Sequence, residues 1–207
     1  MLLLALDTAT PAITAAVHDG SRVLGEATAH GAMAHGELLA SQIRAALEQA
    51  GVGAGELTDV AVGVGPGPYT GLRVGVVTAL TLAQTLDLIP HGVCTLDILA
   101  ADTDQADVIV ATDARRKEVY WARYAGGVRV DGPAVDKPAT VAELGLPVIG
   151  RGAEIYADVL MRAPGPLDPS AAALARLVVA ERAAELPLEP LYLRRPDATV
   201  PVAATRT

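Results

Sequence analysis

Leu2-Leu3-Leu4-Ala5-Leu6-Asp7 is an apolar run that closes on a carboxylate, and Val108-Ile109-Val110-Ala111-Thr112-Asp113 repeats it 106 residues downstream. The echo continues, with Val119 standing where Ile13 stands and Gly126 where Gly20 stands. Around the first run, residues 12–18 alternate as a strand, Asp19-Gly20 makes a hairpin turn and residues 22–29 return, a three-strand meander. The period then lengthens. Leu38, Leu39, Ile43 and Leu47 fall near one face of a helix over residues 37–50 that stops at Gly51. A strand at 60–64, a Gly/Pro loop, a helix at 71–86 and a strand at 89–93 complete the order βββαβαβ.

The second half opens in the same way, strand, Asp, hairpin. Beyond it the pattern predicts a short helix at 140–144, a strand at 147–150, a helix at 153–161 and a helical run at 170–186 capped by Ser170. Two facing βββαβα units describe the α/β architecture of actin, Hsp70 and the sugar kinases, two RNase H-like lobes with the second reduced. The expected boundaries are residues 1–100 for the first lobe and 101–186 for the smaller one, with residues 187–207 packing back on the first.

Composition bounds the function. The 207 residues carry 16 Lys plus Arg against 24 Asp plus Glu, a net charge of −8, which argues against nucleic acid as a direct partner of the chain by itself. A hydrophobic fraction of 51% with 19% charged residues supports a packed globular core. The longest uncharged stretches, 60–72 and 74–86, fall short of the roughly 20 apolar residues of a membrane span. The amino terminus reads as no secretory leader, so a cytoplasmic location is expected. Cys94 is the only cysteine, which leaves no internal disulfide and no zinc site of paired thiolates.

In the actin-like architecture a nucleotide lies between the two Asp-bearing turns, and phosphate cradles use bare backbone N–H groups, usually at glycine. Asp7 is followed by Thr8-Ala9-Thr10-Pro11, and Asp113 by Ala114-Arg115-Arg116. Neither turn has a glycine, and Pro11 has no donor, although an arginine can itself hold an anion. Asp7, Thr8 and Asp113 therefore read as a vestigial nucleotide site or as strand ends that fix their hairpins. The loop Gly65-Pro66-Gly67-Pro68-Tyr69-Thr70-Gly71 lacks both the Gly-x-Gly-x-x-Gly spacing and the Walker lysine. Its glycines and prolines fix a strand-to-helix turn, and its functional reading is a rigid interface edge at Gly65, Gly67, Tyr69, Thr70 and Gly71. Ser21, Ser41 and Ser170 sit in no nucleophile elbow, and His30 and His35 are five apart, not the three or four of a metal helix. No catalytic residue and no metal ligand is assigned.

Leu6-Asp7-Thr8-Ala9-Thr10, the loop 65–75, Asp113-Ala-Arg-Arg-Lys-Glu-Val-Tyr-Trp121 and Pro190-Leu-Tyr-Leu-Arg194 together resemble the bacterial TsaB (YeaZ) family. The resemblance implies a non-catalytic subunit that pairs with TsaD to make N6-threonylcarbamoyladenosine at position 37 of tRNAs reading ANN codons. It implies a TsaE-type ATPase as second partner, tRNA held by the assembly, and no cofactor in this chain; a separate reading is a homodimeric structural protein that pairs its own helix 71–86 when alone. TsaD proteins carry a metal-binding histidine pair after the corresponding strand. Thr95 and Leu99 stand where those histidines would fall, and a leucine cannot ligate a metal.

The helix over 71–86 is apolar nearly all round and needs cover on both sides. Gly75, Ala79 and Ala83 permit close helix approach on one stripe, and intrachain packing or a partner can cover the remainder. The resemblance favours a partner, because TsaB and TsaD pair through these two helices. The expected interface is Leu38, Leu39, Ile43, Arg73, Val76, Val77 and Leu80. The alternative reading is a small actin-like ATPase or kinase with nucleotide between the lobes. Tyr120-Trp121 reads as core or as contact surface, with burial the usual fate of such a pair.

Overall fold

A computed structural model describes residues 1–31 and 35–194. The opening apolar run is β1 (Leu3–Asp7), central in a five-stranded sheet with β2 (Ala12–His18), β3 (Val23–His30), β4 (Asp59–Gly65) and β5 (Ile89–Cys94) in the order β3-β2-β1-β4-β5. β2 runs antiparallel to β1 and β3, whereas β4 is parallel to β1 and β5. Alternation sends Leu4 and Leu6 to one face, under α1 (His35–Ala50) and α2 (Tyr69–Leu86). Leu3 and Ala5 turn to the other face, under α6 (Ala171–Val179). A strand covered on both faces can be apolar throughout, which is why residues 2–6 lack polar alternation.

The second sheet has the order β8-β7-β6-β9, from β6 (Asp107–Asp113), β7 (Val119–Ala125), β8 (Val128–Asp136) and the two-residue β9 (Val148–Ile149). The duplicated arrangement is the actin-like pair of RNase H-like lobes, with the second reduced. α3 (Thr95–Ala101), not anticipated from sequence, packs Leu96 and Leu99 against Val108, Val110 and Tyr124 and so joins the two sheets. α4 (Pro138–Ala142) and α5 (Arg151–Ile155) cover the opposite face of the second sheet, α5 shorter than its expected 153–161. Trp121 and Tyr120 are buried.

Two details of the echo change. Asp7 pairs with Thr14, but Asp113 pairs with Val119, so the second hairpin is one residue shorter and Val119 occupies the place of Thr14, not Ile13. The helical run at 170–186 ends at Val179, and its alanines pack on Ala5, Ala16 and Ala61 of the first sheet instead of joining the second lobe. Small residues on both surfaces let helix and sheet approach closely. Ser170 caps this helix, its Oγ accepting from Ala173 N at 3.2 Å. Of the C-terminal segment, residues 195–207 lie outside the described residues, while Leu188 and Leu191 pack against the first-lobe core. Among the described residues no helix is long and apolar enough to cross a membrane.

Candidate functional site

Asp7 ends β1 at the centre of the first sheet with no exposed surface. Its Oδ1 accepts from Ala9 N at 2.7 Å and its Oδ2 from Thr95 Oγ1 at 2.8 Å, and Thr95 Oγ1 accepts in turn from Gly65 N at 3.2 Å. Burial disfavours the charged form and pushes the carboxyl up to about 6, with the two hydrogen bonds offsetting part of that rise. Gly63 of β4 is seated directly on this group, and Gly67 of the Gly/Pro loop on its neighbour Ala9. A Cβ at Gly63 would stand 1.7 Å from Asp7 Oδ2, and one at Gly67 would stand 2.3 Å from the Ala9 carbonyl, so both positions exclude any side chain. Thr8 Oγ1 donates to the Gly71 carbonyl at 2.7 Å, which ties β1 to the start of α2.

These contacts divide the residues read as a vestigial nucleotide site. Asp7 and Thr8 are sealed from solvent. Asp113 reaches the cleft between the lobes, where its Oδ1 accepts from Arg115 N at 2.9 Å. That cleft, with a volume of about 150 Å³, is lined by Thr10, Thr70, Thr112, Asp113, Arg115 and Arg151 among others. Pockets for drug-sized ligands start at about 300 Å³. Arg151 is committed to a two-point pair with Asp168. Thr95 serves Asp7, and Leu99 is fully buried in the core that joins the lobes. His18, whose pKa burial lowers, accepts from Gly20 N at 2.9 Å, and His91 lies between Asp59 and Glu185. Burial pushes the Cys94 thiol up to about 12, so it is an inert core group.

The helical face is also divided. Val76 follows Leu72 and precedes Ala79 on the sheet-facing stripe, and it is 2% exposed. Leu39 lies with Ala46 on the inward side of α1 at 1% exposure. Both are core residues that bury themselves against the chain's own sheet, which corrects their assignment to a partner surface. The small-residue stripe has the same inward role, because a Cβ at Gly75 would meet Thr8 Oγ1 at 2.4 Å. Leu38, Ile43 and Leu80 are half-buried at the margin of the core. Arg73 is exposed, and Val77 is 58% exposed in the middle of α2. Within the loop, Gly65, Gly67 and Gly71 are buried while Tyr69 and Thr70 are exposed.

One cluster was not singled out from sequence. Tyr69 stacks on Tyr192 with ring centroids 5.2 Å apart, the Arg73 guanidinium carbon lies 4.1 Å from the Tyr69 centroid, and Arg73 Nε donates to Tyr192 Oη at 3.1 Å. The segment bearing Tyr192 is strapped over both lobes: Leu186 N donates to the Gly92 carbonyl, Leu191 N to the Val64 carbonyl and Arg194 Nη1 to the Ala114 carbonyl. Arg194 also pairs with Glu118. Tyr69 and Arg73 were each read as interface residues, but no sequence signal joins them to Tyr192, which lies 119 positions beyond Arg73.

Comparison with known proteins agrees with this architecture. The family described as "TsaD: tRNA N6-adenosine threonylcarbamoyltransferase" matches residues 23–195. An uncharacterised protein of Mycobacterium tuberculosis strain H37Rv is 46% identical over 95% of this chain and 93% of its own length. The tRNA threonylcarbamoyladenosine biosynthesis protein TsaB of Escherichia coli K12 is 34% identical over 60% of this chain and 55% of its own. The solved structure of YeaZ from Pseudomonas aeruginosa is 30% identical with a TM-score of 0.79, covering 93% of this chain and 99% of that one. The chain belongs to the TsaB/YeaZ family, within the wider group whose type is the threonylcarbamoyltransferase TsaD.

Proposed function

We propose that the chain works in threonylcarbamoyladenosine formation on tRNA as a non-catalytic subunit that pairs with a TsaD-type catalytic paralogue and helps seat a TsaE-type ATPase. The names of the TsaB relatives support the pathway. The observation that carries the division of labour is the sealing of Asp7. A carboxylate that is to hold a metal or a phosphate-bound cation must meet solvent, and this one is fully buried and meets Ala9 N, Thr95 Oγ1 and the backbone of Gly63 in β4. The same sealing speaks against the kinase alternative, since one of its two aspartates has no access to the cleft.

The partner surface is the outer side of α2 around Val77 and Arg73, with the exposed parts of Leu38, Ile43 and Leu80 at its margin and the Tyr69–Thr70 loop edge beside it. An apolar side chain left at 58% exposure gains burial when a second helix pair covers it. The same face supports a homodimer that the true partner displaces. Metal and nucleotide belong to the partner subunits, tRNA is held by the assembled complex, and the work is cytoplasmic. The test is co-purification of the tagged chain with the TsaD-type paralogue of the same cell. A stable complex is expected, and two proteins that elute separately at micromolar concentration would refute the pairing.

A further inference from the structure

The net charge of −8 conceals one local reversal. The turn from β6 to β7 carries Arg115, Arg116 and Lys117 in succession, all exposed and all with left-handed backbone, φ 61°, 53° and 60°. Bulky residues seldom adopt this conformation, and such backbone clusters at surfaces with a task. The turn is fixed from within, by Arg115 N donating to Asp113 Oδ1 and by two backbone bonds, from Ala114 N to the Glu118 carbonyl and from Glu118 N to the Arg115 carbonyl.

Beside the turn lies an open groove of about 360 Å³ whose lining includes Arg115, Arg116, Arg194, Tyr69, Tyr120 and Tyr192 and no carboxylate. Arg194 is already engaged with Glu118 and the Ala114 carbonyl, whereas the Arg115 side chain is 70% exposed, with Asp113 no nearer than 3.8 Å. Guanidinium groups beside aromatic rings are the chemistry that recognises an unpaired nucleotide, the phosphate taken by the cations and the base by a ring face. A free nucleoside triphosphate arrives with Mg²⁺ and is met by carboxylates or a glycine-rich nest, which this lining lacks.

We propose that this groove holds an unpaired nucleotide of an RNA strand, its phosphodiester against Arg115 and Arg116 and its base against the Tyr69–Tyr192 pair. This deepens the function proposed above, and rests on it, by giving the chain its own contact with tRNA inside the assembly. The test is fluorescence anisotropy of the full chain with labelled tRNA and with single-stranded RNA of about 12 nucleotides, across roughly 50 to 200 mM salt. Wild-type chain is expected to bind both weakly and with a steep salt dependence. The double variant Arg115→Ala/Arg116→Ala should bind about ten-fold more weakly, with a log–log salt slope shallower by about 1.4, the loss of two phosphate contacts to a single strand. Tyr192→Ala should weaken binding about ten-fold with the slope unchanged, because stacking releases no counterions. Arg22→Ala, in the turn at the far end of the first sheet, should change nothing. All variants are checked for wild-type circular dichroism and melting. RNA binding indifferent to the Arg pair, binding of Mg-ATP in place of RNA, or no RNA binding by wild type overturns the proposal. Failure of the scaffold reading is seen separately, as no complex with the TsaD-type protein, and leaves this assay untouched.

Discussion

Replacing Asp7 with Asn isolates the cost of the sealed carboxylate. The folded chain holds this group near pKa 6 against an ordinary 3.8, so the protonated form is the one its site tolerates. The unfolded chain releases that proton near pH 4, and the native chain keeps it to about pH 6. Between those values the native state binds more protons, so stability is fully present below about pH 4 and declines as pH rises through 6. At about 1.4 kcal/mol per unit, a rise of about two units costs roughly 3 kcal/mol once both states are ionised. Asn keeps the acceptor for Ala9 N and places an amide toward Thr95 Oγ1, and it does not titrate. Urea unfolding of both proteins from pH 4.5 to 8 should show the stability of Asp7→Asn relative to wild type growing by about 2 kcal/mol, the first part of the loss lying below pH 4.5. The other shifted groups, Asp19 held low by its bonds from Ser21 and Arg22 and Asp97 raised by burial, are common to both proteins and cancel in the difference. A difference that stays flat with pH would refute the reasoning, because a carboxylate that is costly to ionise in place must reveal itself there.

Thr95→Val removes the hydroxyl shared by Asp7 and Gly65 N, and leaving two buried polar groups unpaired should cost about 2–5 kcal/mol in urea unfolding. Combined with Asp7→Asn, its cost should be non-additive, because the two side chains touch. Val77→Asp should abolish the complex with the TsaD-type protein while melting within about 3 °C of wild type, since the side chain is 58% exposed in the free chain and a charge is buried only in the complex. Retained affinity would move the interface elsewhere. Leu80→Asp is a poorer probe, because Leu80 already packs on the core and its loss confounds folding with binding.

The central strands, the first two helices and the doubled strand–Asp–hairpin were legible in the sequence because both strand runs are apolar, the first helix keeps a regular period, and the second is a long apolar run set between a Gly/Pro loop and a strand. The inward and outward sides of α2 were not. With Val74, Val76, Val77 and Leu80 all apolar, periodicity alone cannot show that Val76 meets the sheet while Val77 meets solvent. α3 escaped for a different reason: Thr95-Leu96-Asp97-Ile98-Leu99 is short and follows β5 without a break, so its helical turn is set by the packing of Leu96 and Leu99 between the sheets. The same tertiary dictate places α6, whose alanines match the small residues of the first sheet. Around Asp7 the identity of the residues was readable but not their use. Only the fold brings Thr95, 88 positions away, onto its carboxylate. The basic groove was hidden by averaging, since a net charge of −8 says nothing of where Arg115, Arg116 and Lys117 stand.

The most direct test of a chain that scaffolds without chemistry is threonylcarbamoyl transfer to tRNA by the TsaD-type protein, titrated with wild-type chain and with the Asp7→Asn variant. Transfer should rise with added chain to a plateau at stoichiometric complex, neither form of the chain should transfer alone, and the Asp7→Asn plateau should equal that of wild type. A variant that folds and forms the complex but lowers the plateau ten-fold or more would place Asp7 in the reaction and contradict the sealed, non-catalytic site.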